Sequence, residues 1–186
     1  MVTIGDGAGR WVTARLTANG VSVESEPTVE AEPASTAVIS AIPKGDRPEW
    51  IIQKLTEIGV SSIGFMHCAR SVVRWDEARV LRQMERLRRV ARQAAMQSRR
   101  VWLPTVLDVA PFAEAAAAAS RCALAEPGGD ALATDVDTLL VGPEGGFTES
   151  ELGTVARRVS LSPNVLRVET AALAAGIMLT QRNDLA

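Results

Sequence analysis

The most informative stretch of the sequence is LLVGPEGGF (residues 139–147). An apolar strand ends there in a Gly-Pro-Glu-Gly-Gly turn, and a helix follows with Thr148 as N-cap and Glu151 in the capping-box position. In an open α/β sheet, ligands bind beyond the carboxyl ends of the strands, where backbone amides are free. Glycines at such a turn let a ligand approach the main chain closely. The stretch predicts a ligand-binding loop, although a plain tight βα turn would look the same.

A second segment in which a predicted strand ends in polar residues is LRVETAALAAGI (residues 166–177). The apolar run from Val165 to Val168 predicts a strand, and an apolar helix is expected from Thr170. The strand ends at a polar cluster made of Arg167, Glu169 and Thr170. The small residues of this helix would let a ligand or a neighbouring backbone come close, but an ordinary buried C-terminal helix explains them too.

Upstream of these segments, short apolar strands alternate with helices. Strands are predicted over residues 38–42, 62–66, 121–125 and 137–141, and helices over 76–98 and after Asp46, Pro111 and Thr148. Asp46 with Glu49 resembles a capping box, and Gly59 supplies a helix stop. The residues of the 76–98 helix expected to face inward are Val80, Leu81, Met84, Leu87, Ala91 and Ala94. This order predicts an α/β fold with an open parallel sheet.

The beginning of the chain has a different pattern. Residues 11–17 and 21–24 alternate between apolar and polar side chains on either side of Asn19-Gly20, which predicts a β-hairpin with Val12, Ala14 and Leu16 on one face. Residues 25–36 are rich in Glu, Pro, Ser and Thr and are typical of a linker. We therefore expect two regions, residues 1–36 and residues 37–186.

The composition excludes several kinds of chemistry. The 186 residues include one histidine (His67), two cysteines (Cys68 and Cys122) and no tyrosine. A zinc site needs about four ligands, and His67 and Cys68 are the only adjacent candidates, so no metal site is expected. Two unclustered cysteines indicate a reducing, cytoplasmic setting. Because no apolar run approaches the roughly 20 residues of a membrane span, we expect no membrane association.

The charge of the chain is unevenly distributed. The formal net charge is −2, yet residues 70–100 contain ten arginines against three acidic residues. We call these ten residues the arginine stripe. A local net charge of +7 on an acidic protein is the pattern expected where nucleic acid binds.

A third segment carries further cations. It comprises KGDRPEWIIQKLTEIGV (residues 44–60) and RSVVRW (residues 70–75). Charges on a helix are usually solvated, which is the simplest interpretation of Lys44, Arg47 and Lys54. Arg70 and Arg74 flank two apolar valines and are better candidates for phosphate contacts.

Taken together, these segments resemble a known family. The motifs KGDR-x-EW-x-x-QK-x-TE-x-GV, RSVVRW, GPEGGF and LR-x-ETAAL-A, in this order, are similar to those of the RsmE family of 16S ribosomal RNA uridine-N3 methyltransferases, in the SPOUT superfamily. The resemblance implies a parallel sheet with a C-terminal trefoil knot, S-adenosylmethionine in the knot, a homodimer and an N-terminal PUA-like β domain that helps to hold RNA. Met1 falls inside that expected domain, so only its last hairpin and the linker are expected within residues 1–36.

The resemblance also implies which residues form the site. GPEGGF and LRVETAAL would form the knot loops. The implied cofactor-binding residues are Leu140, Val141, Gly142, Pro143, Glu144, Gly145, Gly146, Phe147, Leu161, Leu166, Val168, Thr170, Ala171, Leu173 and Glu126. The implied partner is 16S ribosomal RNA in the 30S subunit, and the cations expected to contact it are Lys44, Arg47, Arg70, Arg74, Arg92, Arg99 and Arg100.

Methyl transfer to uracil N3 requires that the N3 proton be lost. Histidine is the usual base, but His67 is outside every motif and is expected to be a satisfied residue beside a strand end. Our hypothesis is that Arg70 or Arg167 stabilises a developing uracil anion and that Glu144 or Glu169 orients the arginine. Two alternatives stay open: a SPOUT enzyme that methylates the ribose 2′-oxygen, or an RNA-binding module that is inactive because its N-terminal domain is incomplete.

Overall fold

A computed structural model describes residues 1–183 of the chain, with side chains up to residue 181. The N-terminal part is a small antiparallel sheet in which the second strand pairs with the other three. Its strands are β1 (Val2–Gly5), β2 (Arg10–Thr17), β3 (Gly20–Val23) and β4 (Thr28–Val29). The predicted hairpin is confirmed. Ala14 is buried as expected, whereas Leu16 on the same face is 66% exposed.

The rest of the described chain forms a parallel α/β sheet. Its strands are β5 (Ala37–Ala41), β6 (Ser62–His67), β7 (Thr105–Val106), β8 (Ala110–Pro111), β9 (Cys122–Asp130), β10 (Thr138–Val141) and β11 (Arg158–Val159). The helices are α1 (Arg47–Ile58), α2 (Glu77–Gln97), α3 (Phe112–Ala118), α4 (Glu149–Thr154) and α5 (Val168–Asn183). The predicted open parallel sheet is therefore confirmed.

The strand order creates a ligand-binding geometry. The main path runs β11-β9-β10-β5-β6-β7, and every strand pair in it is parallel. After β5 the chain continues to β6, toward the β7 edge of the sheet. After β10 it continues to β11, at the opposite edge. The order of the sheet thus reverses between β5 and β10. Clefts at the carboxyl ends of strands beside such a switch point are where open α/β sheets bind ligands.

Both faces of the sheet are covered by helices. On one face, α1, α2 and α5 pack on Val38, Ile63, Leu139 and their neighbours. On the other face, α3 and α4 pack on Ile39, Met66 and Leu140. This alternation along each strand explains why the strands contain continuous apolar runs.

Several local predictions are wrong. Residues 165–167 are not a strand, and α5 already begins at Val168. Asp46 is the N-cap of α1 but makes no side-chain capping bond, and Glu49 pairs with Arg86 instead. Leu81 is 75% exposed, because α2 turns it away from the sheet. In contrast, Gly59 ends α1 in the left-handed conformation at φ 105°, as predicted.

The small sheet attaches to the larger part through residues 101–103. Ala8 forms an antiparallel bridge with Trp102, and the Leu103 N–H donates to the Gly7 carbonyl over 2.9 Å. A Cβ atom at Gly9 would lie 2.4 Å from the Trp102 ring, so only glycine fits there. A cleft between the two parts is lined by β1, Arg92, Arg99 and Arg100. None of the described helices is long and apolar enough to span a membrane.

Candidate active site

A cleft opens at the carboxyl ends of β9 and β10. Val141 pairs with Ala125 at the end of the β9–β10 ladder, so Glu126 and Pro127 extend past the end of β10. These residues form one wall, and the glycine turn after β10 forms the second. Residues 161–166 and the first turn of α5 close the third side. The residues that line the cleft are Ala125, Glu126, Pro127, Val141, Gly142, Pro143, Glu144, Gly146, Phe147, Leu161, Ser162, Asn164, Val165, Leu166, Val168 and Ala171.

The glycine turn has a fixed shape. The Gly146 N–H donates to the Pro143 carbonyl over 2.8 Å, and Gly146 adopts φ 68°, which favours glycine. The Phe147 ring is buried against Phe112, with centroids 5.5 Å apart. A Cβ atom at Gly142 would lie 3.0 Å from the Phe147 ring, so a larger residue would push the ring out of place. The backbone of the turn is therefore open to the cleft and anchored by Phe147.

Two side chains that do not line the cleft hold the turn and the residues that follow it. Arg70 Nη1 donates to the carbonyl oxygens of Gly145 and Phe147, both over 3.0 Å. Glu151 accepts hydrogen bonds from the N–H groups of Ala69 and Thr148, both over 2.8 Å. The capping box of α4 that the sequence predicts is therefore present, and it also holds the segment after β6.

The ionisation of Glu151 follows from these contacts. Burial would raise the pKa of this carboxyl, since its residue is 8% exposed. The hydrogen bonds from Thr148 and Ala69, together with the nearby Arg70, outweigh burial and hold the pKa below its ordinary value of 4.5. Glu151 is thus a carboxylate at neutral pH.

The chain is similar to known proteins along most of its length. Residues 30–180 match the RNA methyltransferase domain family. The chain is 33% identical to ribosomal RNA small subunit methyltransferase E of Bacillus subtilis, over 82% of this chain and 68% of the relative. It is 39% identical to the Mycobacterium tuberculosis protein of the same name, over 79% of this chain and 64% of the relative. The chain belongs to the RsmE family of ribosomal RNA small subunit methyltransferases. It spans about two thirds of the length of these relatives.

A solved structure supports the RsmE assignment. Ribosomal RNA small subunit methyltransferase E from Neisseria gonorrhoeae, bound to S-adenosyl methionine, superposes with a TM-score of 0.76 at 30% identity. The match covers 94% of this chain and 80% of that one. The predicted family and the SPOUT-type parallel sheet behind a small β segment are therefore confirmed.

Most of the residues that the RsmE resemblance implies for the cofactor surround the cleft. Four do not line it: Leu140, Gly145, Thr170 and Leu173. Leu140 is buried in the sheet core, and Gly145 faces Arg70. Sequence reasoning missed five lining residues, which are Ala125, Pro127, Ser162, Asn164 and Val165. Three of these lie in the loop segment 160–167, and only Val165 falls within the strand predicted over residues 165–168.

The residues proposed for catalysis lie in different environments. Glu144 is exposed and lines the cleft. Glu169 is paired with Arg47, with Nε and Oε1 3.2 Å apart, and its Oε2 has no partner among the described residues. Arg167 is exposed between two lining residues, Leu166 and Val168, and its side chain makes no bond to the side chains described, those of residues 1–181, or to the backbone up to residue 183. Only Glu144 of the four lines the cleft directly.

The cations expected to contact RNA differ in whether the protein itself already holds them. Some are held by the protein itself: Arg74 donates to the Cys68 carbonyl over 3.0 Å, and Arg100 donates to the carbonyls of Thr56 and Val60. Burial lowers the pKa of the Arg100 guanidinium below its ordinary value. Lys44, Arg92 and Arg99 are exposed and have no side-chain bond among the described residues. Arg92 and Arg99 border the cleft beneath the small sheet.

His67 and Cys68 lie beside the turn but are engaged elsewhere. His67 Nε2 accepts a hydrogen bond from the Trp75 N–H over 3.3 Å, which is the structural role expected for this histidine. Burial first, and then Arg74, lowers its pKa from 6.5. Cys68 is fully buried, and burial raises the pKa of its thiol to about 12. The neutral imidazole and the neutral thiol are therefore the predominant forms at neutral pH.

Proposed function

We propose that this chain transfers a methyl group from S-adenosylmethionine to N3 of a uridine in 16S ribosomal RNA. The observation that carries the proposal is the cleft itself. Two sequence segments separated by about twenty residues, the glycine turn and the segment before α5, form its facing walls beside the switch point of the sheet. Clefts of this kind bind nucleotide-like ligands through backbone groups.

The lining of the cleft fits S-adenosylmethionine. Val141, Leu161 and Leu166 offer apolar walls for the adenine ring. The carboxylates of Glu126 and Glu144 suit the ribose hydroxyls and the positive charge of the donor. The glycine turn leaves backbone groups open for hydrogen bonds. The relative from Neisseria gonorrhoeae is bound to S-adenosyl methionine, which supports the same ligand here.

The chain contributes alignment and charge to the reaction. S-adenosylmethionine supplies an electrophilic methyl group on a sulfonium, and no metal is required for the displacement. Alignment of two reactants can supply about 7–11 kcal/mol of the barrier. The free guanidinium of Arg167 stabilises the negative charge that the uracil carbonyls acquire as the N3 proton leaves to solvent. Glu144 is the carboxylate proposed to orient it, because Glu169 already binds Arg47.

The RNA is proposed to lie along the free cations of the arginine stripe. Arg92 and Arg99 border the cleft between the small sheet and α2, and Arg82 is exposed on the same helix. Phosphate contacts of this kind set affinity and position. The small sheet, proposed to be the end of a PUA-like domain, would form the opposite wall. A 30S substrate places the protein in the cytoplasm.

The chain is proposed to form a homodimer and to carry the C-terminal knot of its superfamily. Ile177 on α5 is 41% exposed and Val165, before the helix, is 87% exposed. Exposed large apolar side chains of this kind favour contact with a second copy through the same surface. Sedimentation of the full chain tests this, with a monomer at all concentrations as the contrary result.

Two assays test the proposed function. Isothermal titration should show saturable binding of S-adenosylmethionine, and labelled donor should transfer its methyl group to 30S subunits or 16S RNA. Arg167→Ala should slow the single-turnover rate at saturating donor by at least about 100-fold, the lower range for a group acting in the transition state. Arg157→Ala is the matched control, because Arg157 pairs with Asp135 away from the cleft. An unchanged rate in Arg167→Ala would remove Arg167 from the mechanism.

A further inference from the structure

The segment after β6 is tied to the glycine turn although a strand separates them. β5 lies between β6 and β10 in the sheet, so the carboxyl ends of β6 and β10 are not neighbours by pairing. Two side chains nevertheless join them, Arg70 from the first segment and Glu151 from the helix that follows the turn. We call this pair of contacts the Arg70–Glu151 clamp.

The Glu151 half of the clamp is built around one buried carboxylate. Oε1 accepts from the Ala69 N–H, whereas Oε2 accepts from the N–H and the hydroxyl of Thr148, at 2.8 and 3.0 Å. A capping box needs only the bonds to Thr148. The bond to Ala69 is additional, and it fixes the distance between the β6 segment and the start of α4.

The Arg70 half acts on the turn itself. Its guanidinium donates to the carbonyls on either side of Gly146, those of Gly145 and Phe147. Gly142, Pro143, Glu144 and Gly146 line the cleft, but neither Gly145 nor Arg70 does. The guanidinium therefore bonds the backbone of the turn without lining the cleft itself.

We propose that Arg70 and Glu151 are positioning residues that keep residues 143–148 in the conformation that receives the methyl donor. The inference rests on the proposed function and revises the hypothesis that Arg70 stabilises the uracil anion. A turn held in its binding conformation before the ligand arrives avoids the cost of ordering it on binding. If only a fraction of molecules holds that conformation, the apparent affinity falls by the same fraction.

The first test compares two glutamates in one helical turn. Glu151→Gln keeps the size of the side chain but replaces one of its two acceptor oxygens with an NH2 group. This NH2 group must face either the Ala69 N–H or the Thr148 N–H, so one of the two hydrogen bonds is lost. Glu149→Gln is the matched control, since Glu149 is exposed and its side chain has no bond among the described residues. We expect Glu151→Gln to weaken S-adenosylmethionine binding by about 10-fold or more, and Glu149→Gln to leave it unchanged.

The second test separates positioning from catalysis. Arg70→Ala leaves the capping box intact, so it decides the case even if Glu151→Gln fails to fold. It should raise Kd and KM for S-adenosylmethionine while kcat at saturating donor stays within a few fold. In the unliganded variant, amide exchange of residues 144–147 should be faster than in the wild type. Arg70→Lys should restore part of the affinity, because an ammonium can still donate to one carbonyl.

Each outcome has a definite meaning. If Arg70→Ala binds the donor as tightly as the wild type but loses kcat, Arg70 acts on the substrate and the clamp proposal is overturned. If both variants bind the donor normally and exchange normally, the proposal is likewise overturned, while the proposed function survives. Failure of the wild-type chain to bind S-adenosylmethionine would instead reject the proposed function, and the role of the clamp with it.

Discussion

Arg100 closes the end of a helix, unlike the exposed arginines around it. Its Nη1 donates to the carbonyls of Thr56 and Val60, which flank the left-handed Gly59 at the end of α1. The sequence shows the charge of the arginine stripe but does not show which of its arginines stabilises the fold. Arg100 does so by binding Thr56, which is more than 40 residues away along the chain. A local sequence pattern cannot reveal such a contact.

This contact predicts a loss of stability in Arg100→Ala. The buried Val60 carbonyl would lose its donor and the buried Thr56 carbonyl would keep only the Gly59 N–H, which should lower the free energy of unfolding by about 1–3 kcal/mol. Arg92→Ala is the control, because Arg92 is exposed without a side-chain bond in the described part of the chain, and its change should stay within about 0.5 kcal/mol. Urea unfolding measures both. Equal stability of the two variants would refute the structural role of Arg100.

His67 predicts a pH dependence of stability. Its folded-state pKa lies below 6.5, because burial and Arg74 disfavour the imidazolium. The unfolded chain therefore binds a proton at higher pH than the folded chain does. The stability that neutral His67 contributes is complete above pH 6.5 and is lost as the pH falls through the folded pKa.

Unfolding of the wild type and of His67→Gln between pH 8 and pH 5 measures this contribution. The difference in unfolding free energy between the two proteins should be constant above pH 6.5. Below pH 6.5, the wild type should lose stability relative to His67→Gln. A difference that stays constant over the whole range would show that the pKa of His67 is not lowered.

At the scale of elements, the regular segments were predictable and the cleft wall was not. Thr148 and Glu151 predict the start of α4, and the apolar runs predict β5, β6 and β10, because local pattern and tertiary position agree. The run from Val165 to Val168 has the apolar content of a strand. Residues 165–167 lie instead in the loop that forms one side of the cleft, where Leu166 faces the ligand space and Val165 is exposed, and Val168 is already the first residue of α5.

Strand β9 leads to a prediction about its pairing with β11. A Cβ atom at Gly129 would lie 2.7 Å from the Val159 nitrogen, and backbone cannot move aside as a side chain can. Gly129→Ala should therefore destabilise the fold by about 1–3 kcal/mol. At Gly153, in α4, an added Cβ meets nothing within 4 Å. Gly153→Ala should be neutral or stabilising by up to about 1 kcal/mol, and thermal unfolding that ranks the variants in the opposite order would contradict this packing.

At the scale of the whole molecule, the sequence motifs indicated the family and the structure shows how they meet. Segments around residues 70, 126, 144 and 166 are far apart in the chain, yet they converge at one edge of the sheet. The strand order explains this convergence, because the glycine turn leaves β10 beside the point where the order reverses. The attachment of the small sheet through residues 101–103 was not predictable, since it depends on a single bridge to Ala8.

The proposed activity is defined by the RNA atom that receives the methyl group, which is N3 of a uridine. The decisive measurement is mass spectrometry of nucleosides from 16S RNA after incubation of 30S subunits with the chain and isotopically labelled S-adenosylmethionine. The predicted product is labelled 3-methyluridine at one position. Label on a ribose 2′-oxygen, or no labelled nucleoside from a chain that binds the donor, would contradict the account.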